Sequence, residues 1–239
     1  MTAIIVCAAF STAFMVFWWY EGPREVHEVH EEMRAVVLDG LHESRPNPKF
    51  VDEVMAVLQG AGFRVDVFRG RDVTVELLMN LKGYDLLVLR LHSTVDVDGC
   101  LYVFSGERYS RGKYMLEEHL GIVRKGFTFN ESEGPYFALN IAFLGWYARG
   151  GLRGSTIILM GCNGTQSPHS VGRLLEAGVN AFFSWSGYVD LSHSDKAVLT
   201  LIRALYLERL SPEEALEEVY REVGPDPTYG SVLRCIMRR

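Results

Sequence analysis

The sequence predicts an α/β fold, a mostly parallel sheet with helices on both faces, preceded by one transmembrane helix. Residues 1–20 contain no charged side chain. After residue 34, short apolar runs alternate with amphipathic stretches, which is typical of a parallel sheet covered on both faces. The 239 residues are 48% hydrophobic, which is enough to form a sizeable core.

The charge and cysteine content exclude several functional classes. The formal net charge is -6, and the basic residues are scattered along the chain. A nucleic-acid partner or a polybasic membrane patch is therefore not expected. Four cysteines in a chain of this length do not form a disulfide scaffold. The spacing of Cys100 and Cys235 leaves open whether they pair.

Residues 1–20 are predicted to be a single-pass membrane anchor. The segment ends in Phe17-Trp18-Trp19-Tyr20, an aromatic cluster typical of a bilayer interface. A cleaved signal peptide fits less well, because there is no basic n-region and no small-x-small site before Glu21. A buried N-terminal helix is a third reading, although such a helix rarely lacks any polar break.

Residues 21–34 are predicted to be a charged juxtamembrane connector. His27 and His30 lie here without the HExxH spacing of zinc peptidases, so no metal site is expected. The flanking charges do not fix the orientation in the membrane. An extracytoplasmic domain is favoured if residues 1–20 act as a signal-anchor.

The soluble domain is predicted to span residues 35–239. An apolar run at residues 35–38 indicates the first strand, and helical spacing from Phe50 to Leu58 indicates a helix capped by Gly60 and Gly62. The next elements are an alternating strand at 63–68, a short helix at 75–81 and a nearly continuous buried strand at 84–91.

Residues 95–134 differ from this alternation and predict hairpins inserted between two α/β units. The insertion is positioned to form a wall of a site. Further along the chain we expect an aromatic-rich helix at 134–147, strands at 156–160 and 180–185, and helices at 168–177, 192–209 and 212–223. The last helix begins with Ser211-Pro212-Glu213-Glu214, which matches N-cap chemistry.

Two strand ends bring reactive side chains together. The strand at 84–91 is followed by His92, and the strand at 156–160 is followed by Gly161 and Cys162. In open parallel sheets, catalytic groups collect beyond the carboxyl ends of the strands. A cysteine nucleophile needs a base and backbone N–H groups that stabilise an oxyanion. Gly161 permits a sharp exit from the strand, and Gly164 permits close approach to a substrate.

These two blocks resemble those of the caspase-like cysteine peptidases, the clan that includes gingipain, clostripain, legumain and separase. The blocks are LLVLRLHS at 86–93 and IILMGC at 157–162. The chain is also similar to uncharacterised archaeal membrane-anchored members of the clan, in the stretches at 46–50, 65–67, 104–107 and 184–187. The likeness covers residues 35–222 at the level of strand order.

The resemblance implies a three-layer sandwich and hydrolysis of a peptide or protein substrate by a Cys-His dyad. Cys162 would be the nucleophile and His92 the general base, and the backbone N–H groups of Ser93 and Cys162 would form the oxyanion hole. No metal or organic cofactor is implied.

The chain departs from the family pattern in two places. Ser93 stands where many members have glycine, and Met160 stands where several basic-specific relatives carry an acid. If an acidic pocket exists, Asp190 and then Asp39 are the candidates, because either could reach a guanidinium group. Asp195 is expected instead to serve the N-terminus of the last long helix.

Two further residues are candidates for substrate contact. Trp185 would form the floor of a cleft or lie in the core. Glu107 would orient His92, bind a substrate amine, or simply be solvated in its turn.

Two other functions compete with a peptidase. The first is a membrane-tethered pseudopeptidase that acts as a binding module. The second is a flavodoxin-like small-ligand domain, which would need a phosphate-binding loop that the sequence lacks.

Overall fold

The structure is a computed structural model that describes residues 32–130 and 133–238. The predicted anchor at 1–20 and most of the predicted connector at 21–34 lie outside these residues. Among the described helices, none has the length and apolar character needed to cross a membrane. From Glu32 onward the chain groups into one unit.

The elements follow one another in the alternation that the sequence predicts. The strands are β1 (Arg34–Asp39), β2 (Arg64–Arg69), β3 (Leu86–Arg90), β4 (Ser93–Val95), β5 (Leu101–Arg108), β6 (Val123–Gly126), β7 (Tyr136–Asn140), β8 (Thr156–Leu159), β9 (Ala181–Trp185) and β10 (Leu233–Met237). The helices, renumbered in chain order, are α1 (Pro48–Gly60), α2 (Val75–Met79), α3 (Met115–His119), α4 (Leu144–Ala148), α5 (Pro168–Glu176), α6 (Leu191–Tyr206) and α7 (Pro212–Glu222).

The central sheet has the strand order β2-β1-β3-β8-β9-β10. Strands β2 to β9 in this order are parallel, and β10 is antiparallel to β9. The predicted mixed α/β fold with a mostly parallel sheet is therefore confirmed. Strand β10 was not predicted, because its short run LRCIM near the C-terminus has no flanking α/β unit to mark it as a strand.

Both faces of the central sheet are buried. On one face, apolar side chains of α1, α6 and α7 pack on the sheet, among them Phe50, Leu201 and Val219. On the other face, α2, α4 and α5 and a second sheet cover the strands. This arrangement explains why the inner strands β3, β8 and β9 are mostly apolar.

The inserted region forms an antiparallel sheet of its own, with the order β4-β5-β7-β6. The predicted helix at 134–147 is wrong over its first half, which is strand β7. Strand β7 pairs with β5 on one side and β6 on the other. Aromatic residues such as Tyr136 and Phe137 fit a pleated surface well, so tertiary pairing determines the conformation of this segment.

Gly106 fixes the second sheet against the central one. A Cβ atom at this position would lie 1.8 Å from the carbonyl oxygen of Gly70. The Gly106 N–H donates to the Val73 carbonyl at 2.7 Å. Only glycine permits this close approach of two backbones. The contact of Gly106 with Gly70 and Val73 holds the insertion against the central sheet.

A buried ion network joins β1, β3 and α6. Arg90 is 1% exposed, and its guanidinium donates to Asp39 at 2.7 Å and to Asp195 at 2.9 and 3.1 Å. It also donates to the Arg45 carbonyl at 3.0 Å. Asn47, which caps α1, donates to Asp195 at 2.8 Å. Asp39 is therefore paired inside the protein rather than free to bind a substrate, and Asp195 neutralises a strand residue rather than serving the helix N-terminus.

Replacing Arg90 with methionine should lower the free energy of unfolding by about 3–5 kcal/mol, because two buried carboxylates lose their partner. Chemical denaturation of the full chain measures this change. Arg173→Met is the matched control, since Arg173 forms an exposed pair with Glu176 that is worth about 0–1 kcal/mol. Equal effects of the two substitutions would contradict a structural role for the Arg90 network.

Candidate active site

His92 and Cys162 follow neighbouring strands of the central sheet. Strands β3 and β8 pair in parallel, with Leu89 opposite Leu159, and the Met160 N–H donates to the Leu89 carbonyl at 2.9 Å. Both reactive residues are partly buried, and both line one cleft of about 540 Å³. The structure thus brings the predicted imidazole and thiol to the same sheet edge.

The turn after β8 is packed tightly against its neighbours. A Cβ atom on Gly161 would lie 2.2 Å from the Ser93 Oγ and 2.6 Å from the Leu91 carbonyl oxygen. Asn163 has a φ of 61°, in the left-handed region that asparagine tolerates better than most residues. A Cβ atom on Gly164 would lie 1.9 Å from the Ser184 Oγ. Gly164 therefore permits packing on β9, rather than the expected approach to a substrate.

Two backbone N–H groups at the strand ends have no partner among the described residues. The Phe104 N–H donates to the His92 carbonyl at 2.8 Å, so Ser93 and Val103 form a non-hydrogen-bonded pair and the Ser93 N–H points away from β5. The Cys162 N–H makes no hydrogen bond to another described residue. The Ser93 Oγ donates to the Cys162 carbonyl at 2.7 Å, which ties the two donors together.

Burial keeps both reactive groups neutral. Burial lowers the pKa of His92 from its usual value; Glu133 opposes this shift, and Arg45 and Arg90 add to it. Burial raises the pKa of the Cys162 thiol, against the opposing effect of a hydrogen bond from the Val189 N–H. The resting site therefore contains a neutral imidazole, which can accept a proton, and a protonated thiol.

Glu133 is the acidic residue whose charge raises the pKa of His92 against the effect of burial, and sequence reasoning missed it. It forms an ion pair with Arg45 at 3.2 Å and accepts a hydrogen bond from Thr128 at 3.2 Å. The predicted candidate Glu107 instead pairs with Lys113 and accepts from the Tyr114 hydroxyl at 3.0 Å. Because these contacts hold Glu107 within the second sheet, its carboxylate does not line the cleft.

The other predicted substrate-binding residues have different positions. Asp190 lines the cleft and caps α6, where its carboxylate accepts from the N–H groups of Ser192 and His193 at 2.9 and 3.2 Å. Trp185 is 0% exposed, and its indole N–H donates to Ser194 at 2.9 Å. Trp185 is therefore a core residue and does not form the floor of the cleft.

Loops from both sheets complete the cleft. The insertion contributes Phe127 and Phe129, and the loop between β9 and α6 contributes Tyr188. Tyr229 lines the cleft from a turn that Asp226 stabilises. The Asp226 carboxylate accepts hydrogen bonds from the N–H groups of Thr228 and Tyr229 at 2.9 and 2.7 Å. The sequence PDPTYG contains the turn residues that would have revealed this loop.

The remaining thiols and possible metal ligands do not extend the site. Cys100 and Cys235 are free thiols, and burial raises the pKa of Cys235 to about 12. Across residues 32–130 and 133–238, no three His, Cys, Asp or Glu side chains are grouped so that they could hold a metal ion.

The cleft therefore has a thiol, an imidazole and two backbone N–H groups at adjacent strand ends, which are the kinds of group that nucleophilic catalysis by cysteine requires. Neither the protein-family models nor the curated proteins compared with this chain contain a match to it.

Replacing Gly161 with alanine should reduce stability by about 1–3 kcal/mol, because the added methyl group collides with Ser93 and Leu91. The same collision should separate Ser93 from Cys162 and change the alkylation rate of Cys162. Thermal unfolding and mass-spectrometric labelling measure the two effects. Gly172→Ala is the control: space around Gly172 is open, so helix propensity should raise stability by up to about 1 kcal/mol.

The alkylation of Cys162 should increase with pH beyond about 8.5, the midpoint of an ordinary thiol. The direction follows from burial, which raises the thiol pKa and reduces the thiolate fraction at neutral pH. Peptide mapping after iodoacetamide pulses measures the profile, with Cys235 as a less reactive internal control. A midpoint below about pH 7 would contradict the neutral resting pair and indicate a thiolate–imidazolium pair.

Proposed function

We propose that the chain is a membrane-anchored cysteine endopeptidase of the caspase-like type. The observation behind this proposal is the placement of His92 and Cys162 after neighbouring parallel strands, in one cleft, beside two N–H groups that have no partner within the part of the chain that the structure describes. In caspase-like peptidases the His and Cys also lie on neighbouring strands. Residues 1–20 are proposed to tether the domain to the membrane.

The first half of the reaction is acylation. As the Cys162 sulfur attacks the substrate carbonyl carbon, His92 accepts the thiol proton. The Ser93 and Cys162 N–H groups donate to the developing oxyanion. The tetrahedral intermediate collapses, the C–N bond breaks, and His92 transfers the proton to the leaving amine. A thioester on Cys162 remains.

The second half is hydrolysis of the thioester. His92, again neutral, removes a proton from a water molecule as the water oxygen attacks the thioester carbonyl. The C–S bond breaks, the carboxylic acid product leaves, and Cys162 recovers its proton. The low pKa of His92 suits this role, because the imidazole stays unprotonated and able to act as a base at neutral pH.

A second candidate function is a binding module without turnover. It is favoured by the burial of Cys162, since a raised thiol pKa lowers the concentration of the reactive thiolate. The cleft, the strand order and the unpaired N–H groups fit this function as well as a peptidase. The two candidates differ in whether bond cleavage occurs.

Cleavage of an internally quenched peptide library should be abolished by Cys162→Ala and reduced by about 10²–10⁴-fold by His92→Ala, because the base is lost. The full chain is used, and fluorescence gives the rate. Cys235→Ala is the matched control and should retain activity, because Cys235 lies on β10 outside the cleft.

Unfolding curves of each variant separate loss of chemistry from loss of fold. Cleavage that survives Cys162→Ala would overturn the peptidase proposal. A folded wild type that binds peptides without cleaving them would support the binding module instead.

A further inference from the structure

Four aromatic side chains stand exposed at the mouth of the cleft. Phe127 and Phe129 are 66% and 93% exposed, and Tyr188 and Tyr229 are 47% and 58% exposed. All four line the cleft that contains Cys162. Exposed aromatic residues scattered singly are ordinary, whereas a cluster around a concave site marks a surface that binds a ligand. We call these four residues the aromatic rim.

Three of the four rim rings are in contact with one another across the cleft. The ring of Phe129, from the second sheet, lies 5.9 Å from the ring of Tyr188, and Tyr188 lies 5.9 Å from Tyr229. These distances are within the range of favourable aromatic contacts. Deeper in the cleft, the Phe104 ring lies 6.1 Å from the His92 imidazole. Aromatic rings therefore lie both at the mouth of the cleft and beside His92.

Tyr188 and Tyr229 belong to segments that are held together. The buried Asp226 accepts from the Asp190 N–H at 2.8 Å and from the Tyr229 N–H at 2.7 Å. One carboxylate thus links the segment after Tyr188 to the turn that contains Tyr229. A rim ordered before a substrate arrives loses less conformational entropy on binding.

Of the charged groups of the cleft, one is paired and the other is exposed to solvent. Among the described lining residues, Arg45 and Asp190 are the ones with a formal charge when His92 is neutral. Arg45 pairs with Glu133. Asp190 is exposed, and its Oδ1 accepts three hydrogen bonds from Ser192 and His193. A substrate carboxylate would meet an Arg45 that is already paired, and a substrate guanidinium would meet an exposed Asp190, where an ion pair is worth only about 0–1 kcal/mol.

We infer that the aromatic rim selects substrates with an aromatic side chain next to the scissile carbonyl, in preference to a basic or an acidic one. This inference rests on the proposed function, because it names the substrate class of the same site. Phe129 and Tyr188 are its specificity-determining residues, since they form the contact between the two walls of the cleft.

The test compares three tripeptidyl chloromethyl ketones that differ only in the side chain beside the ketone, which is Phe, Arg or Asp. The Cys162 sulfur displaces chloride from the methylene carbon, a C–S bond forms, and the thiol proton leaves with His92. Second-order inactivation constants of the full chain should be about tenfold larger for the Phe reagent than for the others, the ratio that one or two aromatic contacts supply.

Variants then assign the preference to the rim. Phe129→Ala and Tyr188→Ala should each slow the Phe reagent by about two- to tenfold and slow the Arg reagent by less, so that the ratio of the two rates falls. Tyr188→Phe should restore the rate because it keeps the ring. Trp146→Ala is the matched control, since Trp146 is 67% exposed and lies outside this cleft.

Binding to Cys162→Ala distinguishes failure of the inference from failure of the proposed function. Acetylated tripeptide amides with Phe or Arg at the last position are titrated by NMR. The inference is supported if the Phe peptide binds more tightly than the Arg peptide and if this difference is lost in the double variant Cys162→Ala/Phe129→Ala. This result supports the inference even if no reagent reacts with the wild-type thiol. An Arg preference that disappears in Asp190→Asn overturns it, as do equal affinities and equal inactivation rates.

Discussion

The buried guanidinium of Arg90 is the constraint on which the surroundings of the site depend. A charge that is 1% exposed is tolerated only when every partner is in place, because the desolvation cost is otherwise uncompensated. Its partners are Asp39 at the end of β1, Asp195 in α6 and the Arg45 carbonyl. The same network therefore fixes the loop after β1 and the start of α6, and residues of both segments line the cleft beside His92.

Close packing, rather than a direct bond between the reactive groups, sets the geometry of the candidate site. Gly161 lies against Ser93, and Gly164 lies against Ser184, so the turn with Cys162 is held between the start of β4 and the end of β9. The Ser93 hydroxyl then fixes the Cys162 carbonyl. This packing also buries the thiol and the imidazole, and burial favours the neutral form of each group. Such a pair suits proton transfer during attack better than a preformed ion pair does.

The two sheets contribute different properties to the cleft. The ends of β3 and β8 in the central sheet supply the proposed nucleophile, the proposed base and one oxyanion donor, and Ser93 at the start of β4 supplies the other. The inserted sheet supplies Phe104, Phe127 and Phe129, and with them much of the apolar surface. The insertion packs on the central sheet through core residues such as Val103 and Phe137, so its exposed loop residues Phe127 and Phe129 can change with less effect on the central sheet. The inferred selectivity depends on both sheets, because Tyr188 follows β9.

The sequence by itself determined the alternation of strands and helices, and hence the edge at which His92 and Cys162 lie. This was possible because apolar periodicity and strand ends are local signals. Only the tertiary structure decided the partners of charged and aromatic side chains. Arg90 lies within an apolar run, and its pairing with Asp39 and Asp195 depends on segments far apart in the chain. Tertiary contacts likewise place Trp185 in the core. They also make Glu133, rather than Glu107, the acidic residue whose charge raises the pKa of His92. Ion pairs and ring contacts depend on distances of a few ångströms, which local sequence patterns do not specify.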